Sequence, residues 1–124
     1  MRVFAADAVL DAAVKRLTVV DRFAFGPVGY AGVISKGETD FRLVVSRPKP
    51  TALAAFENLY SSGNLPGRAY ALAGLKKLNQ ARFKELIASI KLTDEELEVM
   101  RGCIISHETL LQVTREIDQG KFRF

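Results

Sequence analysis

The most regular hydrophobic pattern in the chain lies between residues 65 and 90. Apolar side chains recur there every three or four positions, the spacing that places them on one side of an α-helix. The pattern stops at the polar pair Asn79-Gln80 and restarts with Phe83. Pro66 suits the first turn of a helix, where an N–H has no intrahelical partner. The spacing therefore predicts two consecutive helices joined by a very short turn.

Two more helices are predicted on the amino-terminal side of this hairpin. Residues 5–20 and 51–60 each carry an apolar stripe at helical spacing. The second follows Arg47-Pro48-Lys49-Pro50, where each proline disfavours helical geometry in the residue before it. Gly63 suits a left-handed residue that stops this helix.

Two further helices are predicted on the carboxyl-terminal side. Thr93-Asp94-Glu95-Glu96 has the spelling of a capping box, with acidic residues in the positively polarised first turn. The helix that it begins is expected to run to about residue 101. After a short apolar break, Ser106 suits the cap of a last helix that Gly120 ends.

The segment 22–37 is the least regular part of the chain, because glycines and one proline interrupt its apolar residues. One interpretation is a β-hairpin that turns at residues 35–38, with 41–46 as its second strand. The other is a short helix capped by Ser35, with Glu38 three positions later as in a capping box. The helical spacing of Phe41 and Val44 favours the short helix.

Together these elements predict one all-α domain over residues 1–124. We expect a compact bundle or a short superhelix of six to seven helices, with an irregular Gly-rich segment at 22–37 that leaves room for a small β-hairpin. The chain has 124 residues, of which 48% are hydrophobic and 26% charged, an ordinary mixture for a single domain that buries a core.

Residues 51–91 resemble the helical hairpins of HEAT-type repeats. The resemblance rests on the helical pattern of this segment and on the stretch AYALAGLKKLN, whose small residues lie where neighbouring helices would pack closely. It covers about 40 residues and lacks the proline and aspartate placement usual in each HEAT unit. In that family the implied role is binding of other macromolecules rather than catalysis.

No stretch of the sequence indicates a membrane protein. No window of about 18 apolar residues is free of charge. Asp7 and Asp11 interrupt the amino-terminal apolar stretch, which therefore lacks the core of a signal peptide. A single cysteine permits no internal disulfide. We expect a cytoplasmic protein without membrane insertion, although a signal peptide removed before residue 1 fits the same sequence.

The net charge of +4 is unevenly distributed. Residues 42–91 contain nine basic and two acidic residues, whereas residues 93–124 contain four basic and seven acidic ones. Such a basic region can attract nucleic acid, although surface lysines more often serve solubility. A nucleic-acid-binding face would use the basic residues of the predicted hairpin. These are Arg68, Lys76, Lys77, Arg82, Lys84 and Lys91.

Cys103 and His107 form the only cysteine and histidine pair in the chain and suggest the chemistry of a thiol enzyme. On a continuous helix they would be neighbours four positions apart, and an imidazole can activate a thiolate. Gly102 and the adjacent isoleucine pair argue against that helix, and a lone cysteine in an apolar stretch is usually a small buried residue. One cysteine and one histidine also fall short of the ligand set of a zinc site. We therefore expect no metal, no cofactor and no enzymatic activity.

The function favoured by the sequence is a protein-binding or inhibitory module, of which an immunity-type or accessory factor is one example. Aromatic and apolar residues on a Gly-rich segment are typical of interface loops. The candidate contact residues are Phe25, Val28 and Tyr30. The expected partner is another protein; the alternatives are nucleic acid at the basic hairpin face and a thiol enzyme at Cys103 and His107. Neither the partner's identity nor the oligomeric state follows from the sequence.

Overall fold

The computed structural model of the protein describes residues 7–29 and 31–124. Helices make up 58% of it, and short strands complete it. The helices are α1 (Ala8–Thr18), α2 (Lys36–Val45), α3 (Lys49–Ser62), α4 (Leu65–Leu78), α5 (Gln80–Ser89) and α6 (Leu110–Asp118). The strands are β1 (Phe23–Ala24), β2 (Pro27–Val28), β3 (Val33–Ile34), β4 (Glu96–Arg101) and β5 (Ile104–Thr109). None of the described helices is both long and apolar enough to cross a bilayer.

Helix α4 forms the centre of the fold and contacts every other helix, together with β1 and β4. Every residue from Pro66 to Leu75 is buried except the half-buried Arg68. Small residues allow this, because they let neighbouring backbones and rings approach closely. At Gly74, for example, a Cβ atom would overlap the ring of Phe56 on α3. The predicted hairpin is confirmed as α4 and α5, and Asn79 ends the first helix and caps the second.

Residues 96–109 correct the all-α prediction. They form a β-hairpin instead of the helix expected after Thr93, and the fold is α+β. Leu97 and Val99 alternate with half-exposed or exposed residues along β4, which is the period of a strand with one buried face. Gly102 has a φ of 58° and begins a two-residue turn, a conformation that glycine adopts without steric cost.

The hairpin belongs to a three-stranded sheet with the order β1-β4-β5. β1 is parallel to β4, with Phe23 opposite Val99. β5 is antiparallel to β4 in an unbroken register from Glu96 opposite Thr109 to Arg101 opposite Ile104. β5 therefore lies at one edge of the sheet.

The Gly-rich segment contains both a hairpin and the start of a helix. The favoured short helix is confirmed as α2, where the Ser35 side chain accepts a hydrogen bond from the Glu38 N–H at 3.1 Å. The alternative with a strand at residues 41–46 is wrong. A two-stranded hairpin does form earlier in the segment, with β2 antiparallel to β3.

Two predicted helix ends are also wrong. The last helix is capped by Thr109 rather than Ser106, in a capping box with Gln112, because Ser106 lies within β5. Gly63 ends α3 in an extended conformation, with a φ of −79°, and not in the left-handed region. Its lack of a side chain serves close packing, since a Cβ atom there would lie 2.7 Å from the Leu59 carbonyl oxygen.

Candidate functional site

The turns of the two β-hairpins lie side by side at one end of the molecule. The N–H of Gly29, which follows β2, donates a hydrogen bond to the carbonyl of Gly102 at 2.9 Å. Gly102 begins the turn between β4 and β5. This bond connects two segments more than 70 positions apart in the sequence and brings the two turns into contact.

Apolar side chains are exposed at both tips. We call Val28, Val33, Ile34 and Ile104 the tip patch. Val33 and Ile104 expose 60% and 72% of their surface, Ile34 is also exposed, and Val28 is half-buried opposite Val33. Scattered apolar residues are normal on a protein surface, whereas a group of them at one place indicates an interaction site.

A buried carboxylate holds the base of the β2–β3 hairpin against α2. The Glu38 side chain is 5% exposed, and its Oε1 accepts a hydrogen bond from the Gly26 N–H at 2.6 Å. Its second oxygen accepts from Arg42 Nε at 2.7 Å, which compensates the buried charge. Gly26 has a φ of 80°, so the chain turns there into β2. The tip patch is therefore carried on a fixed support.

An aromatic cluster holds the strand that precedes this hairpin. Phe25 lies with its ring centroid 5.3 Å from Phe23, 5.0 Å from Phe41 and 5.3 Å from Phe124. The contacts of Phe25 with Phe23 and Phe41 are edge-to-face, a geometry that stabilises a core beyond the area it buries. The hydroxyl of Tyr70 in the same cluster donates to the Ala24 carbonyl at 2.9 Å. Burial raises the pKa of Tyr70 above its ordinary value and keeps this donor protonated.

The structure places the three predicted contact residues differently from one another. Phe25 is a half-buried member of the aromatic cluster and not an exposed anchor, because the segment folds over Tyr70 and Phe41. Val28 lies in the tip patch, whereas Tyr30 lies outside the described residues. The other patch residues were not predicted. Their signal in the sequence is a pair of β-branched residues directly after a glycine turn, in Gly32-Val33-Ile34 and Gly102-Cys103-Ile104-Ile105.

Cys103 and His107 are not brought together. Cys103 is exposed in the β4–β5 turn, so the expectation of a small buried residue is wrong. His107 lies four positions further along the extended hairpin, which separates the two by about 13 Å. The nearest carboxylate oxygen to His107 Nε2 is that of Glu98, at 4.0 Å. This geometry offers no contact between thiol and imidazole.

Acidic neighbours occupy much of the predicted basic face. Arg82 donates to Glu57 at 2.7 Å and to Glu85 at 3.3 Å, and the hydrogen bond with Glu57 is the main reason that its pKa is raised. Lys76 lies 3.3 Å from Asp118 on α6. The remaining candidates are dispersed. Arg68 donates to the Gly63 carbonyl, Lys77 to the Phe124 carbonyl, and Lys84 and Lys91 are exposed.

A charged cluster lies between the β4–β5 hairpin and α6. Arg101 donates to Glu108 at 2.8 Å and to Glu116 at 2.6 Å, and its guanidinium lies over the ring of Phe122. Burial alone would raise the pKa of Glu108, but hydrogen bonds from Glu116, Arg101 and Ser106 lower it to about 2. Burial and the hydrogen bond with Glu108 raise the pKa of Glu116. Arg101 and these two glutamates join the hairpin to α6.

A groove with a volume of about 840 Å³ runs between α1 and α3. Leu10 and Val14 line it from α1, and Ala54, Ala55 and Asn58 line it from α3. The lining mixes apolar and polar side chains, and Asp11 and Lys15 are its two titratable groups. Within residues 7–29 and 31–124 no group of three or more histidine, cysteine or acidic residues could hold a metal ion.

Comparisons with known proteins add no relationship to this geometry. No protein-family model matches the chain, and neither a curated protein nor a solved structure matches it.

Proposed function

We propose that the protein is a non-enzymatic protein-binding module whose contact surface is the tip patch. The observation that carries this proposal is the hydrogen bond from Gly29 to Gly102, which joins the turns of two hairpins that both carry exposed apolar side chains. Full burial of one valine or isoleucine side chain stabilises a complex by about 1.5–3 kcal/mol before the costs of association. The three exposed residues, Val33, Ile34 and Ile104, therefore supply part of the driving force for a complex.

The support beneath the patch strengthens the proposal. Glu38 fixes Gly26, and Tyr70 fixes Ala24, so the β2–β3 hairpin loses little freedom when a partner binds. A preorganised apolar surface with few titratable groups is suited to recognition rather than to bond-making. An inhibitory role, as in immunity-type factors, is a special case in which the partner is an enzyme.

The HEAT-like arrangement of residues 51–91 remains part of the proposal in a limited form. α3, α4 and α5 are linked by short turns and pack in succession, as the helices of such repeats do. Here α4 is also covered by α1, α2, α6 and the sheet, so these helices serve as the core that carries the hairpins.

Cys103 provides a direct test, because it is exposed in a turn of the patch. A photo-crosslinker attached to this thiol is expected to capture a defined partner in an extract of the native host. The double variant Val33→Ser, Ile104→Ser should lose the cross-linked product, since it removes the two most exposed apolar side chains of the patch.

The matched control changes apolar residues of similar exposure elsewhere. Val19 and Leu92 expose 72% and 82% of their surface and lie outside the patch. The double variant Val19→Ser, Leu92→Ser should keep the product. If it loses the product as completely as the patch variant does, or if no product forms with the unaltered patch, the proposed function is wrong. A product of twice the chain mass reports self-association and is scored separately.

A further inference from the structure

The outer edge of β5 presents backbone groups that have no partner in the described part of the chain. A two-residue turn makes Arg101 and Ile104 a hydrogen-bonded pair, so the N–H and C=O groups of Ile105 and His107 point away from β4. Neither residue's backbone bonds to any other described segment. Their side chains are also accessible, with that of His107 62% exposed.

This edge has few of the features that usually keep an edge strand from pairing, since its one acidic side chain, that of Glu108, is already bonded to Arg101. Exposed edges in native proteins are shortened, bulged, covered, or protected by lysine or proline. β5 is six residues long, has an unbroken register with β4, and contains neither lysine nor proline. Such an edge is suited to receive another strand.

We infer that the occupant is a second copy of this chain, with the two β5 strands antiparallel and Ser106 opposite Ser106 of the other copy. Directly opposed residues of an antiparallel pair point to the same face of the sheet. A two-fold axis perpendicular to the sheet can therefore pass between the two Ser106 residues. Ile105 then forms a hydrogen-bonded pair with His107 of the other copy, twice. All the outward groups of Ile105 and His107 in both copies are satisfied.

The neighbouring registers fit less well. Pairing Ile105 with its own copy leaves His107 opposite Cys103, which lies in the turn. Pairing His107 with its own copy brings two imidazoles together, and it needs the Thr109 N–H, which already donates to Gln112 Oε1 at 2.7 Å. With Ser106 on the axis, no residue of β5 faces a like charge, because Glu108 lies opposite Ile104. This register therefore avoids like charges and satisfies more of the outward backbone groups than either neighbouring register does.

Such a dimer has a continuous six-stranded sheet and carries its two tip patches at opposite ends. The area contributed by one edge strand is smaller than that of a standard interface, so the association should be weak and concentration-dependent. The paired edge meets the tip patch at Ile104. The dimer rests on backbone N–H and C=O groups and the proposed partner site on apolar side chains, so each can fail without the other.

Sedimentation of the full chain from about 1 μM to about 1 mM, the range of weak association, tests the dimer. We expect a shift from monomer to dimer across this range. Ile105→Pro removes an outward N–H that pairs only in the dimer, a position where an edge strand tolerates proline. It should remain monomeric, whereas Ile105→Thr should dimerise. A monomer throughout, or equal dimerisation of both variants with unchanged circular dichroism, overturns the inference.

Disulfide trapping tests the register. Single cysteines are placed at positions 105, 106 and 107 in a Cys103→Ser background and oxidised under non-denaturing conditions. Non-hydrogen-bonded antiparallel pairs have Cα atoms about 4.5 Å apart, a distance that permits a disulfide. Ser106→Cys should form a covalent dimer at least tenfold faster than Ile105→Cys or His107→Cys. Faster trapping at either other position, or none at all, overturns the inference.

Discussion

The hydroxyl of Tyr70 on α4 satisfies both backbone polar groups of Ala24 in β1. It donates to the carbonyl at 2.9 Å and accepts from the N–H at 3.1 Å. Both residues are fully buried, so water cannot replace these bonds. The space for the hydroxyl exists because Gly37, in the first turn of α2, has no side chain. One side chain of the central helix thus fixes the strand that leads into the tip patch.

Tyr70→Phe should destabilise the protein by about 1–3 kcal/mol, because it leaves a buried N–H and a buried carbonyl without partners. Urea denaturation measures the change as a lower midpoint. Tyr60→Phe removes the hydroxyl of a half-buried tyrosine outside this contact and should change the free energy of unfolding much less. Equal effects of the two substitutions would show that the bonds to Ala24 contribute little.

Gly74→Ala should destabilise the protein by about 1–3 kcal/mol, because the added methyl group overlaps the ring of Phe56. The higher helix propensity of alanine offsets only part of this loss. Phe56→Leu leaves space beside position 74, so the double variant should lose less stability than the sum of the single variants. Additive losses in thermal or urea denaturation would argue against direct overlap.

The two glutamates bonded to Arg101 should change the free energy of unfolding with pH in opposite directions. The folded pKa of Glu108 is about 2, below the usual 4.5, so its ionisation stabilises the fold at neutral pH. That contribution is present above about pH 4.5 and is lost as the pH falls toward 2. The pKa of Glu116 is raised, so protonation of Glu116 stabilises the fold at low pH and this contribution is lost as the pH rises.

Glu108→Gln should therefore lower the free energy of unfolding at pH 7 by about 1 kcal/mol, with a smaller difference near pH 3. Glu116→Gln should cost less at pH 7, since the neutral amide avoids an ionisation that the site disfavours. Denaturation of both variants across this pH range provides the measurement. A larger loss for Glu116→Gln than for Glu108→Gln at pH 7 would reverse the assignment.

Cys103 should react with a thiol reagent at nearly the same rate in the folded and unfolded protein, because it is exposed in a turn. His107→Ala should leave that rate unchanged within about twofold, since the two residues are about 13 Å apart on the extended hairpin. Rapid labelling that depends on His107 would instead support the thiol-enzyme alternative.

Retention on a heparin column should decrease only shallowly with salt, because Arg82 and Lys76 already have acidic neighbours. A protein that binds nucleic acid through six phosphate contacts would lose about a thousandfold in affinity between 50 and 200 mM salt. A steep loss of retention, further reduced in the double variant Lys84→Ala, Lys91→Ala, would support nucleic-acid binding. Val19→Ser serves as the control that changes no charge.

The helices were predictable because their signals are local. Asn79 interrupts one apolar stripe and begins the next, and Ser35 precedes Glu38 at the spacing of a cap. The β4–β5 hairpin was not predicted because Thr93-Asp94-Glu95-Glu96 matches the pattern of residues that begins a helix. The competing signal was that Leu97 and Val99 are apolar at every second position, the period of a β-strand, and that Gly102 follows as a turn residue.

The sequence indicated one segment that contributes to the candidate site, but not which of its residues form the site. The Gly-rich segment does supply part of the tip patch, including Val28. Nothing local distinguishes Phe25, which is drawn into the core by Phe41 and Tyr70, from Val33, which remains exposed. The contribution of Ile104 depends on the contact between Gly29 and Gly102, which forms only in the folded chain.

The central position of α4 has a consequence for synthesis of the chain. α1, α2 and α3 all pack against α4, which follows them in the sequence. The apolar side chains of α1, such as Leu17, therefore stay uncovered by α4 while tens of residues are added at about 5–20 per second. For those seconds the nascent chain exposes the apolar surface that α4 later covers, whereas the β4–β5 hairpin is synthesised after α4 is complete.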